Sequence, residues 1–201
     1  MEHPVNKKTS YHHGSLRATA LELARQLIAT EGHDAVQIRH LAKAIGVTPA
    51  AMYGHFASRS DLLLELAEEA HQRLYQQLER FLASHPEPLP ALKVAVRHFI
   101  DFCQANPGTF RMMYHDEVIH ADNAEQRLAS LARTYRLLYR MFLRAFPERD
   151  SQQIQINMIC MWSTLYGFAL VRNQQMLMPY MSQGLNDEAL INQVVQAAIE
   201  S

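Results

Sequence analysis

The sequence predicts an all-α fold of about nine helices, and three observations predict it. Apolar residues recur at the 3.6-residue helical period along most of the chain, and no segment alternates as a strand would. Capping residues precede these stripes, and glycine or proline follows them, where helices start and stop. With 201 residues, 48% hydrophobic and 19% charged, the chain can bury a core without staples, as one domain or two small ones.

The elements follow in order. Leu16, Ala20, Leu23, Ala24, Leu27 and Ile28 form a first stripe, opened by Gly14-Ser15 and closed by Gly32. Ile38, Leu41, Ala42 and Ile45 form a short second one that stops at Gly46. Thr48-Pro49 opens a third helix, with threonine as N-cap and proline at the first helical position. Ser58-Arg59-Ser60-Asp61 is a capping box for a long fourth helix running through Leu63, Leu66, Ala70, Leu74, Leu78 and Phe81. Pro86, Pro88 and Pro90 then break the pattern. Beyond them the periodicity predicts helices over about 91–105, 109–114, 124–146 and 151–176, and a last one from Asn186 to the end. Asn106-Pro107-Gly108 reads as a stop, as does Pro147.

Charge is unevenly spread over a chain of net charge -1. Residues 1–60 hold seven Lys/Arg against four Asp/Glu, whereas residues 61–201 hold twelve against sixteen. A mildly basic head on an acidic body suits a polyanionic partner. Two cysteines, Cys103 and Cys160, make no disulfide framework and fit a reducing compartment. Every apolar stretch of about 18 residues has polar interruptions, which predicts no membrane span. The first eleven residues carry Lys7 and Lys8 but no apolar core, unlike a secretory leader. The expectation is a soluble, cytoplasmic protein.

Residues 38–56 fit a helix-turn-helix. Leu41, Ile45, Val47 and Met52 sit where two short crossing helices share a core, Ala42 allows close approach, and Gly46 occupies the turn. Such a pair serves either as an ordinary αα-turn of a bundle or as a DNA reader whose second helix enters the major groove.

The wider pattern decides between these. Tyr11-His12-His13-Gly14-Ser15-Leu16-Arg17, Glu31-Gly32, Ile38-Arg39-His40-Leu41-Ala42, the run Gly46-Val47-Thr48-Pro49-Ala50-Ala51-Met52-Tyr53-Gly54-His55-Phe56, then Arg59 and Leu62-Leu63, closely resemble the N-terminal domain of TetR-type transcriptional regulators. The resemblance implies a homodimer with a three-helix DNA-binding head over residues 1–60 (helix-turn-helix at about 37–56). It also implies a connecting helix over 61–84 and an effector-binding, dimerising body over 85–201. The implied function is repression at a double-stranded DNA operator, relieved by a small molecule.

By that resemblance, Tyr53 and His55 touch DNA, as donors to phosphate oxygens or nearby bases; the alternative for Tyr53 is packing on the first helix. Arg59 matches a position, usually lysine, that grips a phosphate. Arg39 matches a basic position that reaches a base edge or phosphate, or else is a solvated surface arginine. Thr48, Ala50 and Ala51 lead the recognition helix, where small methyl-bearing side chains suit thymine methyls. Three features depart from the pattern: Gln37 replaces the usual Ser/Thr cap, Gly54 lies in the recognition helix at a helix cost of about 1 kcal/mol, and Lys7-Lys8 forms a short basic arm.

Residues 85–201 hold eight of the ten methionines and the only tryptophan. Phe99, Phe102, Phe110, Met113, Tyr135, Met158 and Trp162 lie on inner faces, as a methionine-rich core or as the lining of a pocket. Few charges share those faces, so the expected effector is apolar or aromatic. Met161-Trp162-Ser163-Thr164-Leu165-Tyr166-Gly167 resembles a Trp-x-x-x-His-Gly signature of one TetR subgroup, with tyrosine in place of histidine. The helix around 154–171 is apolar on nearly every face, which suits burial on two sides; with the last helix it predicts a two-fold four-helix interface passing Gly167. No metal-binding spacing, phosphate loop or nucleophile elbow is present, so neither catalysis nor a metal or cofactor is expected. The rival readings are a redox-sensing regulator using Cys103 and Cys160, and a helical enzyme.

Overall fold

In the computed structural model, residues 13–200 are described, and they form twelve α-helices and one 3-10 turn without a strand among the described residues. The helices are α1 (His13–Thr30), α2 (Ile38–Ile45), α3 (Pro49–Tyr53), α4 (Arg59–Ser84), α5 (Pro88–Ala105), α6 (Pro107–Met113), α7 (Asp116–Ile119), α8 (Ala124–Arg127), α9 (Ala129–Ala145), α10 (Ser151–Asn173), α11 (Pro179–Ser182) and α12 (Asp187–Glu200). The 3-10 turn spans His33–Ala35. The Lys7-Lys8 arm, Tyr11 and His12 lie outside the described residues.

Local chemistry explains most boundaries. Gly46 caps α2 in the left-handed region at φ 80, where a Cβ would be strained. Thr48 Oγ1 accepts from the Ala51 amide at 3.2 Å and starts α3. Ser58 Oγ does the same for α4, accepting from the Asp61 amide at 3.0 Å. Asp150 and Gln153 form a reciprocal capping box on α10.

The structure corrects the expected nine helices to twelve. Pro88 and Pro107 do not precede their helices but open them, each at a first-turn position that needs no amide hydrogen. The span expected over 124–146 breaks at Leu128, whose buried side chain and ψ of 47 end α8 before α9 begins. The short α7 and α11 were not foreseen. The helix expected to reach residue 176 ends at Asn173. Gly54 is not inside the recognition helix: it is the C-cap of α3, so an interior helix penalty does not apply.

Two main cores build the molecule. The first joins α1–α4 to α6–α8: Leu41, Met52 and Phe56 of the head share it with Met112, Met113 and Val118. The second is formed by α5, α9, α10 and α12 around Leu92, Phe142, Ile154 and Ile199. Helix α4 runs from the head alongside α5 and α9. Contrary to expectation, α10 is long and apolar enough to cross a membrane by length and composition. It packs here on α5, α9 and α12, and leaves Ile156 and Ile159 exposed.

Candidate nucleic-acid interface and effector cavity

The head presents one continuous polar and small-residue surface. Arg39, Thr48, Ala50, Ala51 and Tyr53 are all exposed, Tyr53 to 52%, while Met52 and Phe56 are fully buried beneath them. Tyr53 therefore does not pack into the first core. His55 is half-buried in the turn after α3 rather than on the helix itself. Gln37 makes no cap hydrogen bond and instead donates to the Asp34 carbonyl at 3.1 Å. Lys43, four residues after Arg39 on α2, is exposed as well, and the i, i+4 spacing puts both cations on one helix face. Sequence reasoning passed over Lys43, although that spacing was visible.

The Arg59 side chain is engaged within the protein. Its Nε donates to the Val36 carbonyl at 2.6 Å and its Nη2 to the His33 carbonyl at 2.7 Å, while Nη1 pairs with Glu117 of α7. Its side chain is only 18% exposed. Ser60 Oγ donates to the same Glu117 carboxylate at 2.9 Å. Beside this pair, the rings of His33 and His115 lie 4.2 Å apart, and burial holds the His33 imidazole below its usual pKa. Arg127 pairs with Asp61, and Arg25 with Glu69 at 2.9 Å, so the start of α4 is tied to α1 and to α6–α8 on several sides.

Farther along α4 lies a cavity of about 80 Å³. His71, Leu74 and Leu78 form one wall, Ala95, Val96, His98 and Phe99 of α5 a second, Leu131, Thr134 and Leu138 of α9 a third, and Met161, Trp162 and Leu165 of α10 a fourth. Tyr114, which also packs against the first core, completes the lining. Phe99, Tyr114, Trp162 and Tyr166 contact one another ring to ring, with Phe99–Trp162 centroids 5.4 Å and Tyr114–Trp162 centroids 5.1 Å apart. Burial lowers the His71 pKa to about 4 and raises that of the Tyr114 phenol, so neither carries charge at neutral pH.

Of the seven expected lining residues, Phe99 and Trp162 line this cavity. Met113 belongs to the first core, Met158 to the second, and Phe102 and Phe110 pack around Cys103 and Ala169 in a third, small cluster. Tyr135 points outward, 48% exposed, and stacks on Tyr139. Periodicity marks a residue as inward-facing without saying which cluster it enters. His71 was missed, although its spacing from Ala67, Leu74 and Leu78 puts it on the inner stripe of α4. Cys103 is buried, and its thiol is pushed up to about 12 by that burial; Cys160 is half-buried.

Comparison with known proteins agrees with this layout. Residues 20–66 match the model of bacterial regulatory proteins of the tetR family, and residues 92–197 match a tetracyclin repressor-like C-terminal domain. The nucleoid occlusion factor SlmA of Aliivibrio fischeri (strain MJ11) is 25% identical over 146 residues, 72% of this chain and 74% of that one. A solved protein of unknown function from Rhodococcus sp. RHA1 superposes with a TM-score of 0.73 at 25% identity, covering 96% of each chain. The transcriptional regulator FadR from Bacillus subtilis, solved in complex with stearoyl-CoA, superposes with a TM-score of 0.65. It is 16% identical, over 90% of this chain and 97% of that one, a likeness of fold alone.

Proposed function

Because the chain belongs to the TetR family of bacterial regulatory proteins, we propose that it is a transcriptional repressor released from its operator by a small apolar or aromatic effector. It works as a cytoplasmic homodimer; dimerisation and ligand response are typical of the family. One observation carries this reading. Helix α4 begins at Arg59, six residues after the recognition helix ends, shares a core with its Met52, and forms a wall of the cavity at His71, Leu74 and Leu78. A ligand that displaces α4 in the cavity also displaces the head. Arg39, Lys43, Thr48, Ala50, Ala51, Tyr53 and His55 make the DNA surface, with Arg59 as an internal brace rather than a contact. The dimer forms through α10 and α12, covering Ile156 and Ile159.

Selection of binding sites from random duplexes with the full chain tests the reading. The expected result is an inverted repeat, with occupancy that falls when a cavity ligand is added. Enrichment of no sequence overturns DNA recognition, and occupancy indifferent to every cavity ligand overturns effector release. Nucleoid occlusion, the role that names the Aliivibrio fischeri relative, is the second reading. Chromosome-wide mapping separates the two, because a local repressor occupies few promoters. Redox sensing through Cys103 is disfavoured, since a buried thiol with so high a pKa is a poor nucleophile.

A further inference from the structure

We propose that the cavity selects a small, uncharged, single-ring compound bearing a hydroxyl group, and that His71 Nε2 is the hydrogen-bond partner that selects it. The proposal rests on reading the cavity as the effector site and adds the chemistry of its ligand.

His71 is 3% exposed, and its Nε2 has no hydrogen-bond partner among the described residues. An unsatisfied buried polar atom costs about 1–3 kcal/mol, so a group left in that state faces a partner the protein itself does not supply. Two other polar side chains in the wall are already engaged. His98 pairs with Gln77 Oε1 at 2.9 Å, and Thr134 donates its hydroxyl to the Ser130 carbonyl at 2.9 Å. Tyr114 turns its ring edge-on to His71, with centroids 5.8 Å apart. The rest of the wall is aliphatic or aromatic, with the Tyr114 hydroxyl and the Trp162 indole N–H as its remaining polar groups.

Size, charge and hydrogen-bond capacity narrow the ligand. A space of about 80 Å³ is several times what one water needs and about half an apolar cavity that takes benzene (about 150 Å³), so a single ring is its upper size. No Lys, Arg, Asp or Glu lines it among the described residues. An anionic or cationic ligand would be buried without a counter-charge, and His71, neutral at physiological pH, offers none. A neutral imidazole presents either an N–H or a lone pair at Nε2, depending on tautomer. A hydroxyl both donates and accepts, so it satisfies either form; a carbonyl or ether satisfies only one.

Phenol and toluene, alike in ring and size, are the probes. Calorimetric titration of the full chain is expected to show phenol binding about tenfold tighter than toluene, as one net hydrogen bond implies. His71→Phe is expected to abolish the preference while leaving toluene binding in place. Should that variant fail to fold, the wild-type protein still gives a reading: the His71 Nε2 resonance is expected to shift with phenol and not with toluene. Equal binding of the two, a preference that survives in His71→Phe, an unmoved Nε2 resonance, or no binding of either probe would each overturn the proposal. A gel shift run in parallel keeps the two readings apart. Phenol that binds through His71 without releasing DNA overturns effector release and leaves the His71 assignment standing. Release by both probes alike does the reverse.

Discussion

Arg59, the first residue of α4, is ion-paired with Glu117 in α7 while its other donors close on the carbonyls of His33 and Val36. The residue that sequence comparison assigns to a DNA phosphate thus fastens the head to the body. Arg59→Ala is expected to lower stability by about 1–3 kcal/mol, the cost of stranding its partners. The salt dependence of DNA binding should stay unchanged. A slope reduced by about one unit would return Arg59 to the DNA backbone.

Exposed cations on α2 should divide the work of binding. Lys43→Ala is expected to weaken binding to all sequences and lower the salt slope by about one. Arg39→Ala is expected to relax preference at one symmetric base pair per half-site, by about 1–3 kcal/mol, with half-site centres about 34–36 Å apart. No Asn, Gln, Arg or Lys lies on α3, so the guanidinium of Arg39 on α2 is the candidate bidentate reader. Selected sites identical for Arg39→Ala and wild type would assign specificity to DNA shape instead.

Gly108 lets α6 approach the end of α1 closely. A Cβ there would fall 2.1 Å from the Ile28 carbonyl oxygen at the end of α1, and backbone yields little. Gly108→Ala is expected to cost about 1–3 kcal/mol, a fall in melting temperature of several degrees at about 2–4 °C per kcal/mol. A variant as stable as wild type would mean that α6 can slide on α1 without cost.

His71 should make stability depend on pH in one window. Its folded pKa of about 4 lies below the unfolded value of 6.5. Between those values the unfolded chain binds a proton that the folded chain refuses, so stability falls as pH drops from 6.5 towards 4 and is unaffected above 7. At about 1.4 kcal/mol per pH unit the loss reaches about 3 kcal/mol. Urea unfolding across that range should show wild type losing stability relative to His71→Phe as the pH falls. Parallel curves would mean that His71 is hydrated or charged in the folded protein.

Gly167 isolates the dimer interface. Within one subunit a Cβ at this position meets nothing within 4 Å, and the residue lies well inside α10. Gly167→Arg should therefore leave the subunit folded and give monomers by light scattering, as a second helix approaching at that point would clash. A stable dimer would exclude Gly167 from the interface.

Legibility in the sequence followed the range of the forces involved. Helix α2 lies at residues 38–45 as its stripe and Gly46 require, and Thr48 and Ser58 cap as expected, because capping and periodicity act within one turn. Met52, expected in the shared core of the two short helices, is fully buried there. The role of Arg59 was not legible, since Glu117 lies 58 positions away and nothing local announces it. Pro107 and Gly108 read as a stop because their meaning depends on α1, against which α6 closes. Phe110 and Met113 were correctly inward, but three clusters share the interior, and the choice among them is made by helix crossing rather than by spacing.

The proline-rich stretch at 85–90 looks like a seam at which heads and bodies could be exchanged. The distribution of the first core says otherwise. Met112, Met113 and Val118 floor the head from beyond that stretch, packed with Leu41, Met52 and Phe56. A chimera joined at residue 85 would give the head a foreign floor, and one truncated there would give it none. Any recombination that preserves this head must carry residues 107–128 along with it, so the heritable module is discontinuous in the gene.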